Sequence, residues 1–324
     1  MNAFKAALFL VMAFTCLPIT EVFAQAYPSK PIRFVIPSTP GAATDIRGRW
    51  TAERLSRALG QPVVVDNRGG AGGIVGTDAG AKSAPDGYTL VLVHQGTLAL
   101  APHIYAKLPY DPIGDLAPVN LLSVSPLVLA IHPSMQIKTV AELVRLARER
   151  PEQLNYGSPG TGTPPHMAGE LFKSMANITV THIPYKGGGP ALIDLVGGRL
   201  TYTFDGTVVQ LPYVQAGKIR ALATTGKERL ASLPDVPTVA ESGVPGYEFT
   251  GWVGVSVPAR TPAEIIARLN NEIAKILATS EAREWLATQG AQPGSGTPAE
   301  FGAYIKAEHS RWGPIIRKAG IKAD

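Results

Sequence analysis

The run Gly157-Ser158-Pro159-Gly160-Thr161-Gly162-Thr163-Pro164-Pro165-His166 joins a short strand to an apolar helix, and its residue types suit the capture of an anion. Its glycines let the backbone turn tightly and approach a ligand closely. Thr163 is placed to cap a helix, and Pro164 suits the first helical position. Met167, Ala168, Leu171, Phe172 and Met175 then follow at helical spacing. The first N–H groups of such a helix lack intrahelical partners, and the macrodipole puts partial positive charge where they point, so a carboxylate or phosphate fits there. Taken alone, the same residues also suit an ordinary strand-to-helix turn whose Ser and Thr satisfy local backbone groups.

Two further loops carry the same signature. In Tyr185-Lys186-Gly187-Gly188-Gly189-Pro190, Gly189 is placed to cap a helix running from Pro190 through Ala191, Leu192 and Leu195. Pro40-Gly41-Ala42-Ala43 precedes a helix from about Thr44 to Leu59. Side chains in these loops have two readings each. Lys186 adds a charge to the site or extends into solvent, and His166 faces a ligand or packs locally. Asp45 complements the helix dipole or meets an amino or hydroxyl group. Asp205 serves the ligand or a loop, and Tyr185 is a core-edge ring or a pocket wall.

The sequence offers no catalytic constellation. It has no Gly-x-Ser-x-Gly, no His-Glu-x-x-His and no Walker phosphate loop, and Gly70-Ala71-Gly72-Gly73 fails the dinucleotide fingerprint at its last glycine. The six histidines are dispersed without a close metal-ligand pair. No catalytic residue, metal or cofactor is therefore expected. A carboxylate pair of Asp45 with Asp205, or a hydrolase using Ser158 and His166, is the reading from the enzyme class.

The elements that must position these loops follow from the rest of the chain. Residues 1–26 read as an export signal: Lys5, an apolar run from Ala6 to Leu17, and Ala24-Gln25-Ala26 as a cleavage site. Cys16 is the only cysteine and lies inside that segment, in a poor lipoprotein context. The mature chain is thus expected to be periplasmic, not membrane-embedded, and free of disulfides and thiol chemistry. Hydrophobic content of 45% with 17% charged residues describes a packed globular protein. The net charge of +5 is scattered, so no nucleic-acid partner is expected.

From Pro31 short apolar runs alternate with amphipathic segments, the pattern of parallel α/β architecture. Strands are expected at Ile32–Ile36, Pro62–Val65, Tyr88–Val93, Pro126–Ile131, Gln153–Tyr156, Val180–Ile183, Leu200–Phe204, Ile219–Ala223 and Trp252–Val257. Asn67–Gly73 is a turn that hugs something or bends sharply. Thr139 and Glu142 form a capping box, and Thr-Pro-Ala-Glu opens helices at both Thr261 and Thr297. One α/β unit is placed at 27–124 plus 250–324 and a second at 125–249. The chain then crosses twice, near Ser123–Pro126 and Thr250–Val255, making a hinge beside a cleft.

Several segments together resemble the periplasmic substrate-binding proteins of tripartite tricarboxylate transporters, the Bug-type receptors. They are Tyr27-Pro28-Ser29-Lys30-Pro31-Ile32, Pro40-Gly41…Asp45, Leu59 to Arg68, Pro85-Asp86-Gly87-Tyr88-Thr89-Leu90, Leu108-Pro109-Tyr110-Asp111-Pro112, Ser158…His166 and Tyr185-Lys186-Gly187-Gly188. The resemblance implies a two-lobed clamshell fold with a hinge of two chain crossings, closing on a small carboxylated organic ligand for delivery to a membrane permease. It implies that backbone amides, hydroxyls and water hold the carboxylate. By the same carry-over the cleft residues are Pro40, Gly41, Ala42, Ala43, Asp45, His94, Gln95, Gly96, Thr97, Ser158, Thr161, Gly162, Thr163, His166, Tyr185, Lys186, Gly187, Gly188 and Asp205. The Ser158 loop becomes one jaw, with Thr161, Gly162 and Thr163 facing the ligand. Two departures stand out: Ala42 replaces the second glycine of a common Pro-Gly-Gly, and Gly69 replaces a common proline. A ligand sensor signalling to a membrane kinase is the second binding-protein reading.

Overall fold

The computed structural model describes residues 27–151 and 153–322. The expected export signal and its cleavage site lie outside them. The first part of the chain forms β1 (Ile32–Ile36), α1 (Ala43–Leu59), β2 (Val63–Asn67), α2 (Ile74–Ala81), β3 (Thr89–His94) and α3 (Ala101–Ile104). Ile32, Phe34, Val35 and Ile36 of β1 are buried, and β1 sits between β2 and β3, parallel to both. All six residues of β3 are buried. Beyond it Gly96–Leu100 forms a wide helical turn leading to α3, a feature the sequence pattern does not announce.

Next comes β4 (Leu116–Ile131), then α4 (Val140–Glu149), β5 (Asn155–Ser158), α5 (Pro164–Ala176), β6 (Thr181–Pro184), α6 (Gly188–Val196), β7 (Tyr202–Gly206), α7 (Thr207–Gln215) and β8 (Arg220–Thr224). The chain closes with β9 (Thr250–Pro258), α8 (Ala263–Leu277), α9 (Ser280–Thr288), β10 (Gln292–Pro293) and α10 (Pro298–Lys318). Capping boxes at Thr139/Glu142 and Thr297/Glu300 start α4 and α10. Leu269, Ile273 and Leu277 bury the inner stripe of α8, each contributing about 1.5–3 kcal/mol.

The sheet is mixed, not purely parallel. β9 returns between β3 and β4 and runs antiparallel to both. β4 is the element common to both halves: Leu116–Pro126 pair with β9, and Leu127–Ile131 pair with β7 and β8. In the second half β5 is parallel to both β6 and β7. The expected strand Pro126–Ile131 is thus only the far end of a 16-residue strand. Pro118, Asn120, Ser123 and Ser125 break the apolar run that would have revealed its first part.

Three apolar clusters hold these layers. One joins β1 and β3 to α1, α8 and α9, including Trp50, Leu55 and Ile273, with Trp285 packed against it. Trp50 stacks on Trp285 at 4.6 Å between ring centroids. Another runs from the Leu98–Ile104 segment through Phe172, Tyr202 and Phe204 to Phe301 and Trp312 of α10. The third packs α6 against Val128, Ala130 and Ile219.

Candidate functional site

A cleft of about 720 Å³ opens where the loops of both halves meet. Five helices begin at its wall, with Ala42, Gly73, Thr163, Gly187 and Gly206 as the N-cap residues of α1, α2, α5, α6 and α7. None of the five has a side-chain cap. Away from the cleft, α4, α9 and α10 are closed by Thr139, Thr279 and Thr297, while α8 starts uncapped at Pro262. A side-chain cap is worth about 1 kcal/mol, so five omissions on one surface leave donors for something else to satisfy.

Thr163 does not cap α5 as its residue type suggests. Its Oγ1 donates to Gly160 O at 2.7 Å, turning away from the helix. Pro164 and Pro165 carry no N–H, so this mouth offers fewer donors than an ordinary helix start. In the second glycine loop the helix starts at Gly188, two residues before Pro190, and exposes the N–H groups of two glycines. Its N-cap Gly187 adopts φ 132°, a conformation open essentially to glycine alone.

The expected site residues divide into two groups. Pro40, Ala42, Ala43, His94, Thr161, Thr163, Tyr185, Lys186, Gly187, Gly188 and Asp205 line the cleft. Gly41, Asp45, Gln95, Gly96, Thr97, Ser158, Gly162 and His166 stand behind the lining and brace it. Asp45 accepts from Gly41 N–H and from Asn67 Nδ2, each at 2.8 Å, and pairs with Arg49 at 3.0 Å. Gln95 Nε2 donates to Glu308 Oε2 at 2.8 Å. Thr97 Oγ1 donates to His94 O. Gly162 N–H donates to His166 Nδ1 at 3.2 Å.

Ser158 bonds to His182, not His166: Oγ lies 2.7 Å from His182 Nε2 and is the acceptor of Gly160 N–H. Only 1% of Ser158 is exposed, which leaves no approach for a substrate to its hydroxyl. His166 and His182 lie 4.2 Å apart between ring centroids with their planes tilted by 32°, and Tyr156 stacks on His182. Burial pulls the His166 pKa down to about 4. Burial, then the neighbouring His166, pull that of His182 to about 3.

His94 is buried too, and burial lowers its pKa to about 4. Gly96 N–H donates to its Nδ1 at 3.1 Å, which assigns the ring proton to Nε2 on the cleft side near Gly73. Asp205 is the one acidic side chain among the lining residues. Burial raises its pKa to about 6, although Gly206 N–H donates to Oδ1 at 2.7 Å and favours the ionised form. Sequence reasoning missed Arg47, Tyr105, Ser125 and the β9 residues Gly251–Val253, all of which line the cleft. Helical spacing of Arg47 from Ala43 and Thr44 was a usable signal; Tyr105 and Ser125 gave none.

The two sides of the cleft touch at its rim. A Cβ on Gly187 would meet Thr39 Oγ1 at 2.5 Å, and one on Gly72 would meet Thr161 O at 2.6 Å.

The family model for the tripartite tricarboxylate transporter family receptor matches residues 48–321. Protein BugT of Bordetella pertussis is 37% identical over 97% of this chain and 96% of its own length. A structure of an R. palustris protein with adipate superposes with a TM-score of 0.89 at 38% identity, covering 91% of this chain and 99% of that one. MatC from Rhodopseudomonas palustris, with bound malate, gives a TM-score of 0.85 at 32% identity, over 90% of this chain and 100% of MatC.

Proposed function

The chain belongs to the tripartite tricarboxylate transporter receptor family, and on that premise we propose that it is a periplasmic receptor closing its two lobes on a small carboxylate. The lobes are 27–124 with 250–324, and 125–249. The observation that carries the reading is the convergence of five uncapped helix N-termini on one cleft with a single acidic side chain. Each mouth supplies oriented N–H dipoles worth about 0.3–1 kcal/mol toward an anion, and up to about 2 kcal/mol where partly buried. His94 Nε2–H adds a donor that needs no reorganisation when the ligand arrives.

Residues 1–26 direct export and are removed near Ala26, and the loaded form delivers its ligand to a membrane permease of the same transporter class. No covalent chemistry is assigned to the cleft. Adipate and malate, carried by the related structures, are the first ligands to try. Thermal-shift and calorimetric screening of mono-, di- and tricarboxylates should yield at least one binder. At a hundred times its Kd a ligand stabilises the protein by about 2.7 kcal/mol. A complete absence of stabilisation across the panel would sink the reading.

A further inference from the structure

Arg47 is a buried cation without a counter-charge among the described residues. It lies one turn into α1, on the helix face that also presents Ala43 and Thr44 to the cleft. Only 5% of it is exposed. Its Nη2 donates to the neutral Ser125 Oγ at 3.0 Å, beside the point where β4 crosses between the halves. Its Nε has no partner. Among the described residues no carboxylate pairs with it, since nearby Asp45 is committed to Arg49, Asn67 and Gly41 N–H. Burial lowers its pKa to about 10, which still leaves the group charged at neutral pH.

A guanidinium held out of water without an anion is unfavourable, and an apolar side chain of similar volume would fill the place at lower cost. The other charged groups of the lining do not relieve it. Lys186 is solvent-exposed, and Asp205 is engaged with Gly206 N–H. The helix mouths and Arg47 are therefore separate anion-accepting features of one cavity.

We propose that Arg47 is a second anion subsite, set on the hinge-side floor of the cleft, which takes one acidic group of a ligand whose other carboxylate sits at the helix mouths. The inference rests on the carboxylate reading of the cleft and narrows it to molecules with two acidic ends on a short chain. Arg47 is then the residue that separates diacids from monoacids of equal length. Its planar guanidinium favours a carboxylate over a neutral end by charge-assisted hydrogen bonds.

The test compares wild type, Arg47→Met and Arg47→Lys by calorimetry against glutarate and adipate, with valerate and hexanoate as length-matched monoacids. Ligand-free melting of each protein is recorded alongside. Wild type should prefer the better diacid over its monoacid by roughly tenfold or more. Arg47→Met should lose that preference while keeping monoacid affinity, and Arg47→Lys should retain part of it. Retention of the full preference in Arg47→Met overturns the proposal. If no acid binds wild type, the carboxylate reading of the cleft is what fails, and the ligand-free melts then decide Arg47. A melting temperature for Arg47→Met equal to or above wild type supports a vacant anion subsite. A lower one overturns it in favour of a structural latch on Ser125.

Discussion

Tyr105 Oη donates a 3.1 Å hydrogen bond to Thr161 O, joining the turn after α3 to the glycine loop before α5 across the mouth of the cleft. Tyr105 also stands 3.1 Å from the position a Cβ on Gly162 would take, so ring and loop are in contact as well as bonded. Removing the hydroxyl leaves the contact and deletes the bond. Tyr105→Phe should weaken ligand affinity by about 0.5–1.5 kcal/mol, through faster dissociation, with little change in ligand-free melting. Stopped-flow release of a bound acid measures this directly. An unchanged release rate would show that the bond does not hold the closed form.

Gly187 meets Thr39 at the same rim, and its φ of 132° excludes most side chains. Gly187→Ala therefore carries two penalties: backbone strain of about 1–3 kcal/mol, and a wedge against Thr39 that keeps the lobes apart. Adding Thr39→Ala should restore part of the lost affinity and none of the lost stability. Paired calorimetry and melting of the single and double variants separate the two effects. Recovery of both, or of neither, would contradict this division.

Asp205 gives the ligand-free protein a pH dependence opposite to that of an ion-paired carboxylate. Its pKa is raised from 3.8 to about 6, so the folded state disfavours the ionised form that the unfolded chain adopts freely. Stability from this group is full below about pH 4 and is lost as pH rises through 6. Asp205→Asn should melt above wild type at neutral and alkaline pH, the gap closing on acidification through that window. Melting curves across the range test it; a gap that widens toward acid pH would reverse the assignment.

His94, His166 and His182 act in the other direction. Their pKa values fall from 6.5 to about 4, 4 and 3, so the unfolded chain takes up protons that the folded chain refuses. Stability from these rings is present above 6.5 and lost as pH falls toward 4, at about 1.4 kcal/mol per pH unit for each proton. Denaturant titrations at stepped pH should show a steep acid slope. His94→Gln should reduce the contribution of these rings by about a third.

Local chemistry made much of the fold legible. The β1 boundaries follow from the apolar run Ile32–Ile36, and the α4 start follows from the Thr139/Glu142 box. The three glycine loops were recognisable because the turns into their helices hold Gly41, Gly160, Gly162 and Gly187 at positive φ, which glycine permits. What remained hidden depends on distant partners. The antiparallel course of β9 is set by its return between β3 and β4, which no local pattern encodes. Asp45 and His166 have the residue types of a binding site, yet their bonds go to Asn67 and Gly162. Arg47 is hard to read for the opposite reason: its spacing from Ala43 and Thr44 points to the cleft, but a lone arginine on a helix reads as a solvent-facing residue until the strand carrying Ser125 covers it.

The passage of β4 through both halves sets the mechanics of the molecule. No flexible coil joins the lobes at that point; a single strand belongs to both sheets, and β9 runs beside it up to Pro126, where it pairs with Thr250. Pro126 has no N–H, so the ladder lacks a donor where β4 leaves β9 for β7 and β8. Register shifts between Pro118 and Asn120, Leu121 and Ser123, and Leu129 and Ala130 bend the ribbon on either side. Such a device is a leaf spring instead of a pinned joint. The angle between the two halves is therefore written into these few residues, through the shared pairing of β4 and the breaks within it.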